Sequence, residues 1–579
     1  MAALLHALDN YTPSQIGENG HVEYGWSNSI QEQIVQFSFQ LTRCDNFIPL
    51  ENRLVSMLKT LSHQVKHASL PEKEVARGYL STLYKMIGHT RDIVDGKGEY
   101  TLTYMMIYVW NRFYPKLAEF ALKCLVDLGD KSVHQYGSWK DIKYFCKFSK
   151  NRMSTSNSQN LIDYAIQLTN EQIRKDYANF VSNCNDISLA AKWIPREKSS
   201  FGWLFESLAT NYFSHFLSTA NNDDKRVRAI LKCKTEYRKI LSALNRQIDT
   251  VQIKQCDEKW ANIVFSKTTS ITLSKQKKAF LNVKKNGEIR CPDNSDRVQC
   301  AENFKSHIQR AVKGEIEMKG KRVGMNNFTE QALDILCGIV SQDEKDLLNS
   351  QWRDNSSQNG ALGNMIAMVD VSGSMDGDPM NTAIALGIRI AEKSALGKRV
   401  MTFSSTPTWV NLEPYPDFIS QVKVVKDAPW GMNTNFHAAL DLILDAIIQN
   451  KMAPEDVQDM VLVILSDMQM DQGDSCDKQA LYETMKAKYK EAGIRVHGRA
   501  YKPPHILFWN LTSTSGFPSL ANQPNASMMS GFSPSLLNLF CDQGMDALQS
   551  CTPWSLLLQS LENERYKIMS DRLSQEIIV

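Results

Sequence analysis

The run Met-Ile-Ala-Met-Val at 365–369 is followed at once by Asp-Val-Ser-Gly-Ser-Met-Asp at 370–376. A short, unbroken apolar run of this kind is expected to form a strand covered on both faces. A strand covered on both faces needs a layer of helices on each side of its sheet, which points to an α/β arrangement. At the C-terminal end of the run, Asp370, Ser372 and Ser374 place a carboxylate and two hydroxyls at alternate positions. Ligands of open α/β sheets bind at that end of the strands. A donor set made only of oxygen suits a hard cation such as Mg²⁺. The plain alternative is a Ser/Asp cap on the following helix, with no ion held.

The segments after this loop keep alternating. A helix over 379–394 starts at Pro379, where a missing amide costs nothing, and buries Ile384, Ile388 and Ala391. Strands follow at 400–403 and 408–412, close enough to make a hairpin. Phe436, Ala439, Leu440, Ile443, Leu444, Ile447 and Ile448 then follow helical spacing without a break. Further strands are expected at 460–466, 505–511 and 526–532, with helices at 478–491 and 534–540 and one long amphipathic helix over 553–573. Strands alternating with helices imply a doubly wound, mainly parallel sheet.

The D-x-S-x-S pattern of Asp370, Ser372 and Ser374 resembles the metal-ion-dependent adhesion site of a von Willebrand factor type A domain. That resemblance implies two further ligand positions. Thr434, in Trp-Gly-Met-Asn-Thr-Asn-Phe at 430–436, fits the threonine of a loop before a helix. Asp467 fits the aspartate that ends a later strand. It also implies Mg²⁺ or Mn²⁺ as cofactor, and an open metal position that takes a carboxylate from an acidic protein partner. The expected strand order is 3-2-1-4-5-6, with the third strand antiparallel.

Ahead of this part the chain reads as helix after helix. Residues 1–25 are polar and read as a flexible arm. Residues 26–349 carry apolar residues at helical spacing, beginning with Ile30, Ile34, Phe37 and Leu41, and read as a helical-hairpin array. Residues 350–363 read as a polar linker, and 364–579 as the A-type domain. Three stretches carry a second resemblance: Arg91-Asp with Gly-Lys-Gly-Glu at 96–99, Tyr-Gly-Ser-Trp-Lys-Asp at 136–141, and Leu-Ala-Ala-Lys-Trp-Ile-Pro at 189–195. They look like a family of uncharacterised proteins of plants and large DNA viruses. More distantly, the layout is similar to the Ro autoantigen, whose TROVE module is a ring of HEAT-like helices closed by an A-type domain. The fold class expected is therefore α plus α/β: a HEAT-like helical array, then a six-stranded A-type sheet.

Hydrophobic residues make up 43% and charged residues 22% of the chain, and the net charge is +3, so any basic surface is local. There is no apolar stretch of about 18 residues to span a membrane, and no basic and apolar leader at the N-terminus. The twelve cysteines form no C-x-x-C pair and read as free thiols of a reducing compartment. A cytoplasmic protein is expected, or a component of the particle if the source is a virus. Basic residues cluster at Lys225, Arg226, Arg228 and Lys232, extended by Lys234, Arg238 and Lys239, and again at Lys275, Lys277 and Lys278 beside Trp260 and Phe280. Either cluster is a solvated helix face or a wall that contacts the phosphates of RNA. On the first helix Ile230, Leu231 and Ile240 are assigned to the buried face. No nucleophile elbow, phosphate loop or H-E-x-x-H is present. The chain is therefore expected to be a non-enzymatic binding or assembly protein that docks an acidic partner through a metal, with the helical part as scaffold. The alternative is a Ro-like ribonucleoprotein component.

Overall fold

A computed structural model of the chain describes residues 11–17, 20–152, 157–338, 340–403, 406–429, 436–469, 481–541 and 550–578. Two short strands, β1 (Ser14–Ile16) and β2 (Val22–Tyr24), pair antiparallel near the N-terminus. Six more form one sheet: β3 (Met365–Asp370), β4 (Arg399–Phe403), β5 (Thr408–Asn411), β6 (Val461–Ser466), β7 (His505–Asn510) and β8 (Ala526–Ser530). Their spatial order is β5-β4-β3-β6-β7-β8, parallel except for the β4/β5 pair. This is the expected 3-2-1-4-5-6 order with an antiparallel third strand. The chain leaves β3 toward β4 on one side and returns to β6 on the other, so β3 and β6 flank the point where the winding reverses.

Every residue of β3, β6, β7 and β8 is buried, as strands covered on both faces must be. Alternate side chains feed two different cores. Ile366, Met368, Leu462 and Ile464 point to one, and Ala367, Val369, Val463 and Leu465 to the other. On the first side lie the Phe436–Gln449 and Leu481–His497 helices, represented by Ala439, Leu440, Met485 and Tyr489. On the second lies the Asp378–Lys393 helix, represented by Ala383, Ile384 and Ile388.

Residues N-terminal to the sheet are almost wholly helical. The Ile48–His67 and Leu70–Arg91 helices form a hairpin joined at Ser69, whose side chain and that of Glu72 make a capping box. The core of this helical region runs without a break into the first core of the sheet. The Ile30–Gln40 helix lies against the C-terminal ends of β7 and β8: Asn510 Nδ2 donates to the Phe39 carbonyl (2.9 Å) and Ser530 Oγ to that of Ser38 (2.9 Å). Lys97, buried, locks the same seam by donating to the carbonyls of Ser38 (2.8 Å) and Leu41 (3.1 Å) and to Ser530 Oγ (2.6 Å). A third, smaller core holds Phe265, Phe280, Cys300, Phe304 and Ile308.

Four expectations change. The described part of the 1–25 arm carries the β1/β2 hairpin, and Tyr24 exchanges backbone hydrogen bonds with Phe517 at 2.9 Å each. A pairing nearly five hundred residues away along the chain leaves no local signal. The stretch 350–363, read as a linker, begins inside the Gln342–Ser356 helix. Ser350, Gln351, Asp354, Asn355 and Asn359 are buried, and most are used: Gln351 Nε2 donates to the Lys319 carbonyl (2.8 Å), and Asp354 Oδ2 accepts from Gly320 N (2.6 Å). Arg389, fully buried, donates to Asn355 Oδ1 (3.0 Å) and Asn359 Oδ1 (2.7 Å). Trp352 stacks on Phe418 with centroids 3.9 Å apart. Polarity here marks an internal hydrogen-bonded network rather than solvent. The C-terminal tail is two helices, Pro553–Leu561 and Glu564–Glu576, separated where Asn563 caps the second by accepting from Arg565 N. Finally, Leu231 is 56% exposed, because the Asp223–Ile248 helix buries Cys233, Tyr237, Ile240, Leu241 and Leu244 instead.

Candidate functional site

The loop after β3 and the end of β6 meet at the C-terminal edge of the sheet. Val369 and Leu465 are in register on adjacent parallel strands, so Asp370 and Ser466 end side by side and Asp467 follows. Asp370 is fully buried and Asp467 is 2% exposed. Asp370 Oδ1 accepts from the Ser372 backbone N–H (2.9 Å), which folds the loop back over the strand end. Asp370 Oδ2 accepts from Ser466 Oγ (2.6 Å). Ser372 Oγ and Ser374 Oγ lie 3.1 Å apart, and the Gly373–Met375 turn that carries Ser374 is a single 3₁₀ turn. Asp467 Oδ1 accepts from Gln469 N (3.0 Å).

Two acidic groups held this way repel each other. Burial first, and the Asp467 charge second, push Asp370 up to about 7 against the opposing hydrogen bonds from Ser466 and Ser372. Among the described residues no lysine or arginine pairs with Asp370. Among the described residues the oxygen groups around it are two carboxylates, Asp370 and Asp467, and three hydroxyls, Ser372, Ser374 and Ser466, with neither sulfur nor imidazole. That is the chemistry of a hard-cation site, and a divalent ion would offset the repulsion.

The structure therefore brings four of the five sequence-predicted ligands, Asp370, Ser372, Ser374 and Asp467, to one edge of the sheet. The fifth, Thr434, lies outside the described residues. Ser466 was missed by the sequence reading, although its position one residue before Asp467, at the end of an apolar strand, is the available signal. Asp378 is engaged elsewhere. It accepts from Asn326 Nδ2 (2.9 Å) and pairs with Arg43 (3.2 Å) at the start of its helix. Gly377, with φ of +91°, makes the turn into that helix.

Several residues of the basic clusters are already paired or packed. Lys225, Arg226 and Arg228 are exposed at the start of the Asp223–Ile248 helix. Lys232 lies 4.0 Å over the Phe216 ring. Lys234 is neutralised by Glu197 and Glu206, Arg238 by Glu197, and Lys239 by Glu236. Lys275 is exposed, whereas Lys277 is half-buried and donates to Gln331 Oε1 (2.8 Å), and Lys278 reaches the Lys285 carbonyl. Phe280 is core, and Trp260 is covered by Arg297 at 3.6 Å.

Two of the three motif stretches of the helical part, 91–99 and 136–141, converge on structure rather than on a reactive site. Arg91 forms a buried pair with Asp141 (Nε–Oδ1 2.6 Å, Nη2–Oδ2 3.0 Å) and lies 4.1 Å over the Tyr100 ring. Burial alone would lower Arg91, but the Asp141 charge and its hydrogen bonds raise it above the usual arginine range. Tyr136 donates to the Arg565 carbonyl (2.6 Å), and Arg565 pairs bidentately with Asp92 (2.7 Å each), so the C-terminal helix is tied to the first motif. Gly96 is required because a Cβ there would meet the His89 carbonyl oxygen at 2.1 Å.

Among the described residues no helix is long and apolar enough to cross a membrane, and eleven cysteines are free thiols. Comparison with known proteins adds three matches. Residues 364–570, which hold the whole oxygen cluster, match a domain of unknown function, DUF7788. Residues 149–288 match a second, DUF2828. Uncharacterized protein L728 of Acanthamoeba polyphaga mimivirus is 30% identical over 498 residues, which is 83% of this chain and 78% of that protein. With 83% of the chain matched at that identity, the chain belongs to the same family as the mimivirus protein.

Proposed function

We propose that the C-terminal part is a von Willebrand A-type domain whose oxygen cluster is a metal-ion-dependent adhesion site. Asp370, Ser372, Ser374 and Asp467, with Thr434, hold Mg²⁺ or Mn²⁺ there, and the ion captures a carboxylate of an acidic protein partner. The helical part, a HEAT-like and TROVE-like array in this proposal, serves as the scaffold that presents the loop. The carrying observation is the pair of buried carboxylates at the C-terminal ends of adjacent strands, β3 and β6, at the reversal point of the winding, beside two hydroxyls 3.1 Å apart. A charge-assisted contact between a hard cation and a carboxylate is directional and strong enough to fix a partner's register.

The test is capture of partner proteins by the immobilised full chain, in Mg²⁺ or in EDTA. Proteins held in Mg²⁺ should be released by EDTA and should not bind to Asp370→Ala. Equal capture in EDTA would remove the metal from the function.

A further inference from the structure

The Trp139–Lys150 helix carries a feature that the metal site does not use. Lys140, Lys143, Lys147 and Lys150 recur at intervals of three, four and three residues. At 3.6 residues per turn they fall within an arc of about 80°, and they span about 15 Å of helix. The opposite face is buried through Ile142, Phe145, Cys146 and Ser149. Aromatic rings are set between the lysines. Lys140 lies over Tyr100 (5.1 Å) and Tyr144 (5.4 Å). Lys143 lies over Tyr144 (5.0 Å), Phe201 (5.0 Å) and Trp193 (5.6 Å). Lys147 lies over Phe201 (5.4 Å) and Lys150 over Trp203 (4.0 Å). Tyr100 and Tyr144 are each more than one-third exposed, Trp193 and Trp203 are partly exposed, and Phe201 is buried beneath Lys143 and Lys147, so four of the five rings can meet a base.

Among the described residues none of these four lysines has a carboxylate within ion-pair distance, in contrast to Lys234, Arg238 and Lys239. Like charges three and four residues apart weaken a helix, so the stripe costs the helix some stability. Lys143 is held below the usual lysine range by burial and by Lys140. The surface also continues past its last ring. Trp193 borders a groove of about 670 Å³ whose wall includes Lys192, Arg196, Asn245 and Arg246, together with Asp257 and the Arg238–Glu197 pair.

We infer that this lysine and aromatic face, together with the groove beyond Trp193, binds single-stranded nucleic acid. A linear row of unneutralised ammonium groups follows a phosphate backbone, and interleaved rings offer stacking partners that any base can use. A duplex keeps its bases stacked inside and would use only the charges. An acidic peptide has no use for the rings. The site is separate from the cation loop and does not depend on it.

The experiment is fluorescence anisotropy of the full chain with labelled oligouridylate and oligothymidylate, in EDTA. Four phosphate contacts give a slope of log affinity against log salt of about −2.8, hence roughly a 50-fold loss between about 50 and 200 mM salt. Lys143→Gln with Lys147→Gln should halve the slope and leave about a 7-fold loss. Lys143→Arg with Lys147→Arg should keep the full slope. Tyr144→Ala should weaken the oligonucleotides and leave polyglutamate and duplex DNA unaffected. Asp370→Ala should bind as the parent does, so that failure of the metal proposal and failure of this one are told apart. Circular dichroism melts of each variant verify the fold. The inference is overturned by no binding at the lower salt. It is equally overturned by duplex or polyglutamate binding as tight as the single strands, or by an unchanged slope in the double glutamine variant.

Discussion

Asp141 is the strongest single test of how the helical part holds together. Its carboxylate, fully buried, accepts from Arg91 Nε (2.6 Å) and Nη2 (3.0 Å), from Tyr104 OH (2.9 Å) and from the Ser138 backbone N–H (2.8 Å). Asp141→Ala leaves the Arg91 guanidinium in an apolar interior, and its Nη1 already lacks a partner. Removing one side of a buried ion pair costs about 3–5 kcal/mol, and losing the reciprocal cap at Ser138 adds about 1 kcal/mol. The lower end of the combined loss, about 4 kcal/mol, already speeds exchange from the open state roughly a thousand-fold, at 1.4 kcal/mol per factor of ten. Native-state hydrogen exchange, resolved by peptide, should show that acceleration in the Trp139–Lys150 helix and the end of the Leu70–Arg91 helix. Arg91→Met with Asp141→Leu removes both charges and should recover most of the loss, because no charge is left buried. An acceleration below about ten-fold in the single variant, or a double variant as unstable as the two single losses summed, would refute the account of this pair.

Two further outcomes are expected. Burial and the neighbouring Lys97 lower His89 from 6.5 to about 3. A group depressed in the folded state supplies stability above its unfolded value and loses it as the pH falls toward the folded one. The stability advantage of the parent over His89→Gln should therefore be full above about pH 6.5 and shrink steadily from there toward pH 4, measured by urea denaturation at each pH; a constant difference would contradict it. Trp352→Ala removes the stack on Phe418 and the Nε1 donation to Glu392 Oε1 (2.9 Å), and should cost about 3–5 kcal/mol. Retention of the parent's urea midpoint would show that the seam between the Gln342–Ser356 helix and the sheet carries no stability.

How far the sequence could be read depends on how local each signal is. The sheet order followed from apolar runs such as those of β3 and β6, and from the helical spacing of Ala439, Leu440 and Ile443 between them, because burial on both faces writes itself into consecutive residues. Asp370, Ser372 and Ser374 were legible because they end a strand and begin a turn, whereas Asp467 was picked out only through the resemblance to the A-type metal site. Three features were not. Gln351, Asp354 and Asn355 look like linker residues, yet they are buried and bonded to Gly320, Lys319 and Arg389, partners that the sequence does not pair with them. Tyr24 meets Phe517, and Lys97 meets Ser530, across the whole length of the chain. The lysines of the Trp139–Lys150 helix were visible at helical spacing, but the rings that flank them come from Tyr100, Trp193, Phe201 and Trp203 on other elements.

The central claim is that two buried carboxylates wait for a cation at the rim of the sheet. It is tested most directly by titrating the metal-free full chain with Mn²⁺, following the free ion by electron paramagnetic resonance. The parent chain should take up one Mn²⁺ that excess Mg²⁺ displaces, and Asp370→Ala and Asp467→Ala should each abolish that uptake while melting as folded proteins. Uptake undiminished in both variants would place the ion elsewhere and contradict the account.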